Sequence, residues 1–431
     1  MGTLKTLQTL MVIGISALAA SPALADHPNA GNVTLSSLIE EAFKNNIEIK
    51  EVEKEYEAST ASRKQAISPY FPEIAVEGGY QNGKFDNESS SGSFGYGAAR
   101  INLYNGGKDQ AQVSIRSEEE KFQKLKLEKT KSQIEREISR KYYELLYLQE
   151  GIAVKEEALK ANKAQNELAL RKKSAGFTSQ ADVLEFELRE ATLNSDINLL
   201  RREETAKERE LRRLLGRDDG PIIRVGGHLR RERFTQSDER LIKLALEERI
   251  DLKESEKNIA VSSLQYRSLF GGYLPRIDVE GKYGKLAGEE RIFNNYNNSV
   301  VMLKVSIPIF SGLDTVYARQ AQASEIAKNE LSAGRVRQEI KVQIENALSG
   351  LRSIEERLNI EENNIERANK YYTITLAEYK KGVKNSPDVA SAAERLFDAK
   401  LRNLEFRKDF YLTQIEIAEA AGVSSLEPRG K

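Results

Sequence analysis

Cysteine and tryptophan are absent from the 431 residues, histidine occurs twice and methionine three times. Without a thiol there are no disulfides, thiolate metal sites or cysteine nucleophiles. The lipid anchor of bacterial lipoproteins is excluded too, since it needs a cysteine directly after the signal-cleavage point. His27 and His228 supply no imidazole cluster for a metal or a catalytic triad. Net charge is also missing, because 66 basic residues cancel 66 acidic ones. That balance argues against nucleic acid as a partner and suits long solvated helices laced by ion pairs. There is no Gly-Lys-Ser/Thr phosphate loop and no Gly-x-Ser-x-Gly elbow, so nothing points to an enzyme or a cofactor. The glycine-rich Gly92-Ser93-Phe94-Gly95-Tyr96-Gly97 falls inside a strand pattern, where glycine eases close packing.

What is present begins with a leader. Lys5, the apolar run Leu10–Ile15 and Ala23-Leu24-Ala25 form a secretory signal peptide with an A-x-A cleavage site. Residues 1–25 are expected to be removed and the mature chain to start at Asp26, a retained N-terminal anchor being the alternative. Beyond it no apolar stretch approaches the roughly 20 residues a membrane helix needs.

The mature chain is written twice. Pro72-Glu73-Ile74-Ala75-Val76-Glu77-Gly78-Gly79-Tyr80 returns as Pro275-Arg276-Ile277-Asp278-Val279-Glu280-Gly281-Lys282-Tyr283. Gly176 returns as Gly382 at an offset of 206 (382 − 176), as do Asp182 as Asp388 and Gly216 as Gly422. A constant offset through different local contexts implies two copies of one structural unit. The expected organisation is a first repeat over 26–216, a linker over 217–237, a second repeat over 238–422 and a tail over 423–431.

Within each copy the hydrophobic period switches. Residues 33–67 and 238–270 are helical in pattern. Lys108–Ser174 contains no proline, and Ile134, Ile138, Tyr142, Leu145, Leu148, Ile152 and Leu159 form a narrow apolar seam surrounded by charge. Val336, Ile340, Ile344, Ala347, Leu351, Ile354 and Leu358 repeat it. That is a coiled-coil pattern, and at 1.5 Å per residue each makes a rod of roughly 100 Å. Short breaks centred on Gly176 and Gly382 lead into second helices, Ala181–Leu215 and Asp388–Ala421, giving two helical hairpins. Ahead of each rod lies a β-hairpin, over 73–104 and 276–310, with polar loops at 86–92 and 288–297. Val301, Leu303, Val305, Ile307 and Ile309 share one face against Lys304 and Ser306, with Pro308 weakening the pairing. Strands of about ten residues with one apolar face match either membrane-spanning β-strands or soluble hairpins packed on a helix. Four strands cannot close a barrel, and hydrocarbon does not tolerate open edges. Membrane strands would therefore require several copies of the chain: two would give eight strands with an interior filled by side chains, and three would give twelve with room for a pore.

The order of signal peptide, helix, Pro-initiated strand, hairpin, Asn/Ser-Gly strand end, long helix, Gly tip and Asp-Val helix, nearly all of it twice, resembles the TolC-type outer-membrane efflux proteins. The resemblance implies a mainly α fold with a small β part. Long coiled-coil hairpins would build an α-barrel, and four strands per chain would join a trimeric twelve-stranded transmembrane β-barrel. It implies export of small molecules or proteins across the outer membrane in a tripartite efflux or type I secretion assembly. Partners would be two more copies of the chain, a periplasmic adaptor (membrane fusion) protein, an inner-membrane transporter and outer-membrane lipid. It places adaptor docking at Ala175-Gly176-Phe177 and Lys381-Gly382-Val383. It gives a latch of Asp182 with Tyr379 and Lys384, and a tunnel constriction at Asp388. In that family a second acidic ring lies one turn later, where this chain has Ser391, and arginine is familiar at the latch, where it has Lys384. Lysine cannot grip a carboxylate with two parallel bonds. Local chemistry offers a plainer role for the same aspartates: Ser179-x-x-Asp182 is a capping box, and Ser386-Pro387-Asp388 a helix start. The competing function is a periplasmic structural or adaptor-like coiled-coil protein without a pore, which would leave the two amphipathic hairpins unexplained.

Overall fold

The computed structural model describes residues 33–85, 88–220, 222–285 and 299–426. The expected signal peptide, the loop at 288–297 and residues 427–431 lie outside them. The elements are α1 (Leu35–Asn45), α2 (Ile47–Gln65), β1 (Glu73–Phe85), β2 (Glu88–Asn105), α3 (Lys108–Ser174), α4 (Gln180–Leu214), α5 (Asp238–Glu248), α6 (Ile250–Ser268), β3 (Arg276–Lys285), β4 (Ser299–Ser306), α7 (Asp314–Lys381) and α8 (Ser386–Ala420). Helix dominates, with one small antiparallel sheet.

The long helices pair as expected. α3 packs along α4 and α7 along α8, and the two hairpins meet where α3 lies against α8. Ile134, Ile138, Leu145 and Leu148 of the α3 seam are buried, as are Val336, Ile340, Ile344 and Leu351 of the α7 seam. Two apolar clusters form around them. One gathers Leu38, Ile49, Ile138, Leu145, Leu211 and Leu215. The other gathers Leu241, Leu252, Ile344, Leu351, Phe410 and Ile417. The linker joins this layer through a parallel bridge between Val33 and Val225.

Two segments expected as single helices are each broken in two. Asn46 ends α1 and caps α2, its Oδ1 accepting from the Ile49 N–H at 3.1 Å while its Nδ2 donates to the Leu214 carbonyl at 2.8 Å. Arg249 does the corresponding work between α5 and α6, donating to Asp251 and, at 3.2 Å, to the Ala420 carbonyl. Each corner thus satisfies an orphan carbonyl at the end of α4 or α8. The break is set by these tertiary contacts, with no glycine or proline at the corner.

The sheet order is β1-β2-β3-β4. The central pairing of β2 with β3 joins the two hairpins, with Arg100 opposite Glu280 and Ile101 opposite Val279. β1 and β4 are both edges, without a partner strand among the described residues. β1 and β2 run further into the expected 86–92 loop than anticipated, pairing as far as Phe85 and Glu88. β4 is shorter than expected, because the ladder stops at Ser306, two residues before Pro308, which has no N–H to give. At the foot of the sheet Gly106 has φ +61°, and a Cβ there would sit 2.5 Å from the Gly271 carbonyl oxygen. Only glycine allows this contact, which presses the end of β2 onto the 3₁₀ turn Leu269–Tyr273 leading into β3.

Register divides the sheet into two chemically distinct faces. Ile74, Val76, Ile101, Val279, Leu303 and Val305 lie on one, and Val76, Val301 and Leu303 are 88%, 81% and 63% exposed. The other carries the charges. Arg100 bridges Glu77 at 3.0 Å and Glu280 at 2.7 Å, Arg276 pairs with Asp278 at 2.9 Å, and Lys282 lies 3.6 Å from Glu280. A contiguous apolar face left open on a sheet requires a cover. Among the described residues, no helix is long and apolar enough to cross a membrane.

Candidate functional site

Both helical hairpins turn through the same motif. Gly176 (φ 73°) donates to the Lys173 carbonyl at 3.0 Å and Phe177 to that of Lys172 at 2.8 Å. Gly382 (φ 84°) donates to Tyr379 at 3.0 Å and Val383 to Glu378 at 3.0 Å. These 5→2 and 6→1 bonds are the Schellman ending, which glycine adopts without a Cβ penalty. The turns push Phe177 and Val383 into solvent, 82% and 71% exposed, beside exposed Ala175 and Lys381. Arg171 and Lys173, in the last turn of α3, are exposed as well.

Behind the turns the two tips are bonded to each other. Asp182 completes the capping box of α4 with Ser179. Its Oδ2 also accepts from the Thr178 hydroxyl at 2.6 Å, while its Oδ1 accepts from the Ser386 N–H of the other hairpin at 3.2 Å. Partial burial works against the carboxylate, but donors from Thr178, Ser386 and Ser179 outweigh it and hold the Asp182 carboxyl far below the usual range. Ser386 is fully buried, and its hydroxyl lies 3.2 Å from the Tyr379 hydroxyl. Tyr379 is itself buried, packed edge-on against Phe186 at 6.3 Å between ring centroids, with Ala169, Val183 and Val389 around it. Lys172 donates to the Tyr379 carbonyl and lies over the Tyr379 ring at 4.3 Å.

The expected latch residues are therefore close together but wired differently within one chain. Asp182 reaches the second tip through Ser386, Tyr379 contacts Ser386, and Lys384 lies 3.9 Å from Asp388. The start of α8 also differs: Asn385 is the cap, its Oδ1 accepting from the Asp388 N–H at 3.1 Å, and Ser386 sits in the first turn. Asp388 Oδ2 in turn accepts from the Asn385 N–H at 3.3 Å. Asp388 is partly exposed, and Ser391 one turn on is exposed.

The sequence marks Ser386 only as part of a helix start and Lys172 only as part of a basic run beside the tip, neither as a link between the two tips. Nothing local says more of Ser386, since a serine before proline reads only as a cap. Lys172 had a signal. The buried seam Ala158, Asn162, Gln165, Ala169 steps by four, three and four, and the next step of three lands on Lys172. Among the described residues, no group of His, Asp and Glu is placed to hold a metal.

Residues 38–217 and 241–423 match the family model described as outer membrane efflux protein. The chain is 22% identical over 397 residues to the outer membrane protein TolC of Vibrio cholerae, covering 86% of this chain and 85% of that protein. It shares its fold with the outer membrane protein VceC of Vibrio cholerae at a TM-score of 0.74 and 14% identity, over 90% of this chain and 96% of that one. The CmeC outer membrane channel of Campylobacter jejuni superposes equally well, at a TM-score of 0.74 and 14% identity over 91% and 86%.

Proposed function

Because the chain belongs to the outer membrane efflux protein family, we propose that it forms, as a homotrimer, a channel-tunnel that carries small molecules or proteins from an inner-membrane transporter to the cell exterior. One observation carries the finer part of this reading. The chain presents a four-stranded sheet with an open edge on each side, one face apolar and exposed and the other charged. Three copies joined edge to edge, β4 of one to β1 of the next, close twelve strands. The apolar face then meets lipid and the charged face meets water. A soluble coiled-coil protein would have to leave Val76, Val301 and Leu303 in water with nothing to cover them.

The same arithmetic runs through the helices. α3 and α7 have 67 and 68 residues, α4 and α8 35 each, α2 and α6 19 each. Two copies of one unit account for these matched lengths, and six hairpins in the trimer would wall a periplasmic tunnel. In this reading Ala175-Gly176-Phe177 and Lys381-Gly382-Val383 dock a periplasmic adaptor. Asp182, Tyr379 and Lys384 belong to the set that holds the tips shut, now with Ser386 and Lys172. Asp388, with Ser391 a turn further on, lines the narrowest ring, where three carboxylates on one axis favour cations.

Fractionation tests the assembly. The mature protein should be recovered from the outer membrane as a trimer that dissociates on heating in detergent; a folded, lipid-free monomer would sink the proposal. Bilayer recordings test the constriction. Asp388→Ala should weaken block by multivalent cations, since it removes one carboxylate per chain from the ring. An unchanged block would leave Asp388 with helix capping alone.

A further inference from the structure

On the charged face of the sheet the carboxylates and cations are not scattered but joined through one side chain. Arg100 sits mid-strand on β2, between Glu77 of β1 and Glu280 of β3, donating from Nη2 to the first at 3.0 Å and from Nε to the second at 2.7 Å. Each carboxylate has one further partner. The Tyr96 hydroxyl donates to Glu77 at 2.7 Å, and Lys282 lies 3.6 Å from Glu280 and 5.2 Å above the Tyr96 ring. Arg100 bonds both carboxylates, and it does so across the junction of the two hairpins.

We infer that Arg100 sets the ion selectivity of the β-barrel, holding its lumen near charge balance so that the wall passes anions and cations alike; this rests on the trimeric channel reading above. Around Arg100 the charged face carries Glu73, Glu77, Asp278 and Glu280 against Arg100, Arg276, Lys282 and Lys304, so the signs there cancel; Glu88, at the far end of β2, is the one further charge that register puts on this face among the described residues. Loss of Arg100 takes from Glu77 and Glu280 the cation they share, leaving Glu280 the more distant Lys282 and Glu77 the neutral Tyr96. In a trimer it places three uncompensated negative charges at one height around the pore. Cargo of either charge, with its own counter-ions, would then meet a cation-favouring collar that the native wall lacks.

Reversal potentials of the full-length protein in planar bilayers under a potassium chloride gradient test this. Arg100→Gln should raise the potassium-to-chloride permeability ratio about twofold or more, the scale of a three-charge ring screened over a Debye length. Glu280→Gln should lower it, and the double variant should return close to the native ratio. Arg100→Lys, which keeps the charge, should stay near native. A native protein that assembles but conducts no ions removes the channel reading and this inference with it. A conducting pore whose ratio is the same in Arg100→Gln, Glu280→Gln and the double variant, both in the native background and with Asp388→Ala removing the carboxylate ring at the tips, overturns the inference alone.

Discussion

Leu303→Arg should abolish assembly in the outer membrane. Leu303 lies mid-strand on β4, opposite Val279 and 63% exposed, on the face that carries Val76, Val301 and Val305. An arginine on the lipid face at mid-bilayer costs about 2–4 kcal/mol, and the trimer carries the substitution three times. Its neighbour supplies the control. Met302 stands opposite Glu280 on the charged face, so Met302→Arg should point into the water-filled lumen and be tolerated. Outer-membrane yield of heat-dissociable trimer for the two variants reads the difference. Normal assembly of Leu303→Arg with failure of Met302→Arg would invert the faces, and equal yields of both would take the sheet out of the membrane.

That parity was legible before the structure, because a period of two survives whatever the strand packs against. So were the rods, whose seams fall at helical spacing, and the tips, where glycine is the residue that turns a helix end through positive φ. Lost to sequence reading was whatever depends on contacts between distant segments. The corners at Asn46 and Arg249 exist because the ends of α4 and α8 offer them carbonyls, and no local residue announces this. The pairing of β2 with β3 brings Arg100 to Glu280 across 180 positions. Each hairpin, taken alone, looks complete. The exchange of partners at the tip has the same origin. Asp182 and Asp388 have identical local grammar, each closing its own capping box. Only the packing of α4 against α8 at the tips lets Asp182 also receive the Ser386 N–H, while Asp388 turns to Lys384.

The asymmetry between the two aspartates makes Asp182→Ala the more damaging change. Each substitution removes a capping partner, worth about 0.5–2 kcal/mol. Asp182→Ala also strands the N–H of buried Ser386, a further cost of about 1–3 kcal/mol, and cuts the hydrogen bond from Ser386 across the hairpins. Amide exchange should therefore show the first turns of both α4 and α8 losing protection in Asp182→Ala, whereas Asp388→Ala loosens α8 alone. The link also has a defined pH window. Since the folded carboxyl titrates far below an unfolded aspartate, its contribution is complete above about pH 4 and is lost only as pH falls through the folded value. The protection difference between the native protein and Asp182→Asn should thus be constant from pH 7 to about pH 5 and shrink below about pH 4. A difference already fading between pH 7 and about pH 5 would mean that Asp182 is not held as an anion, and that the Ser386 N–H finds its partner elsewhere.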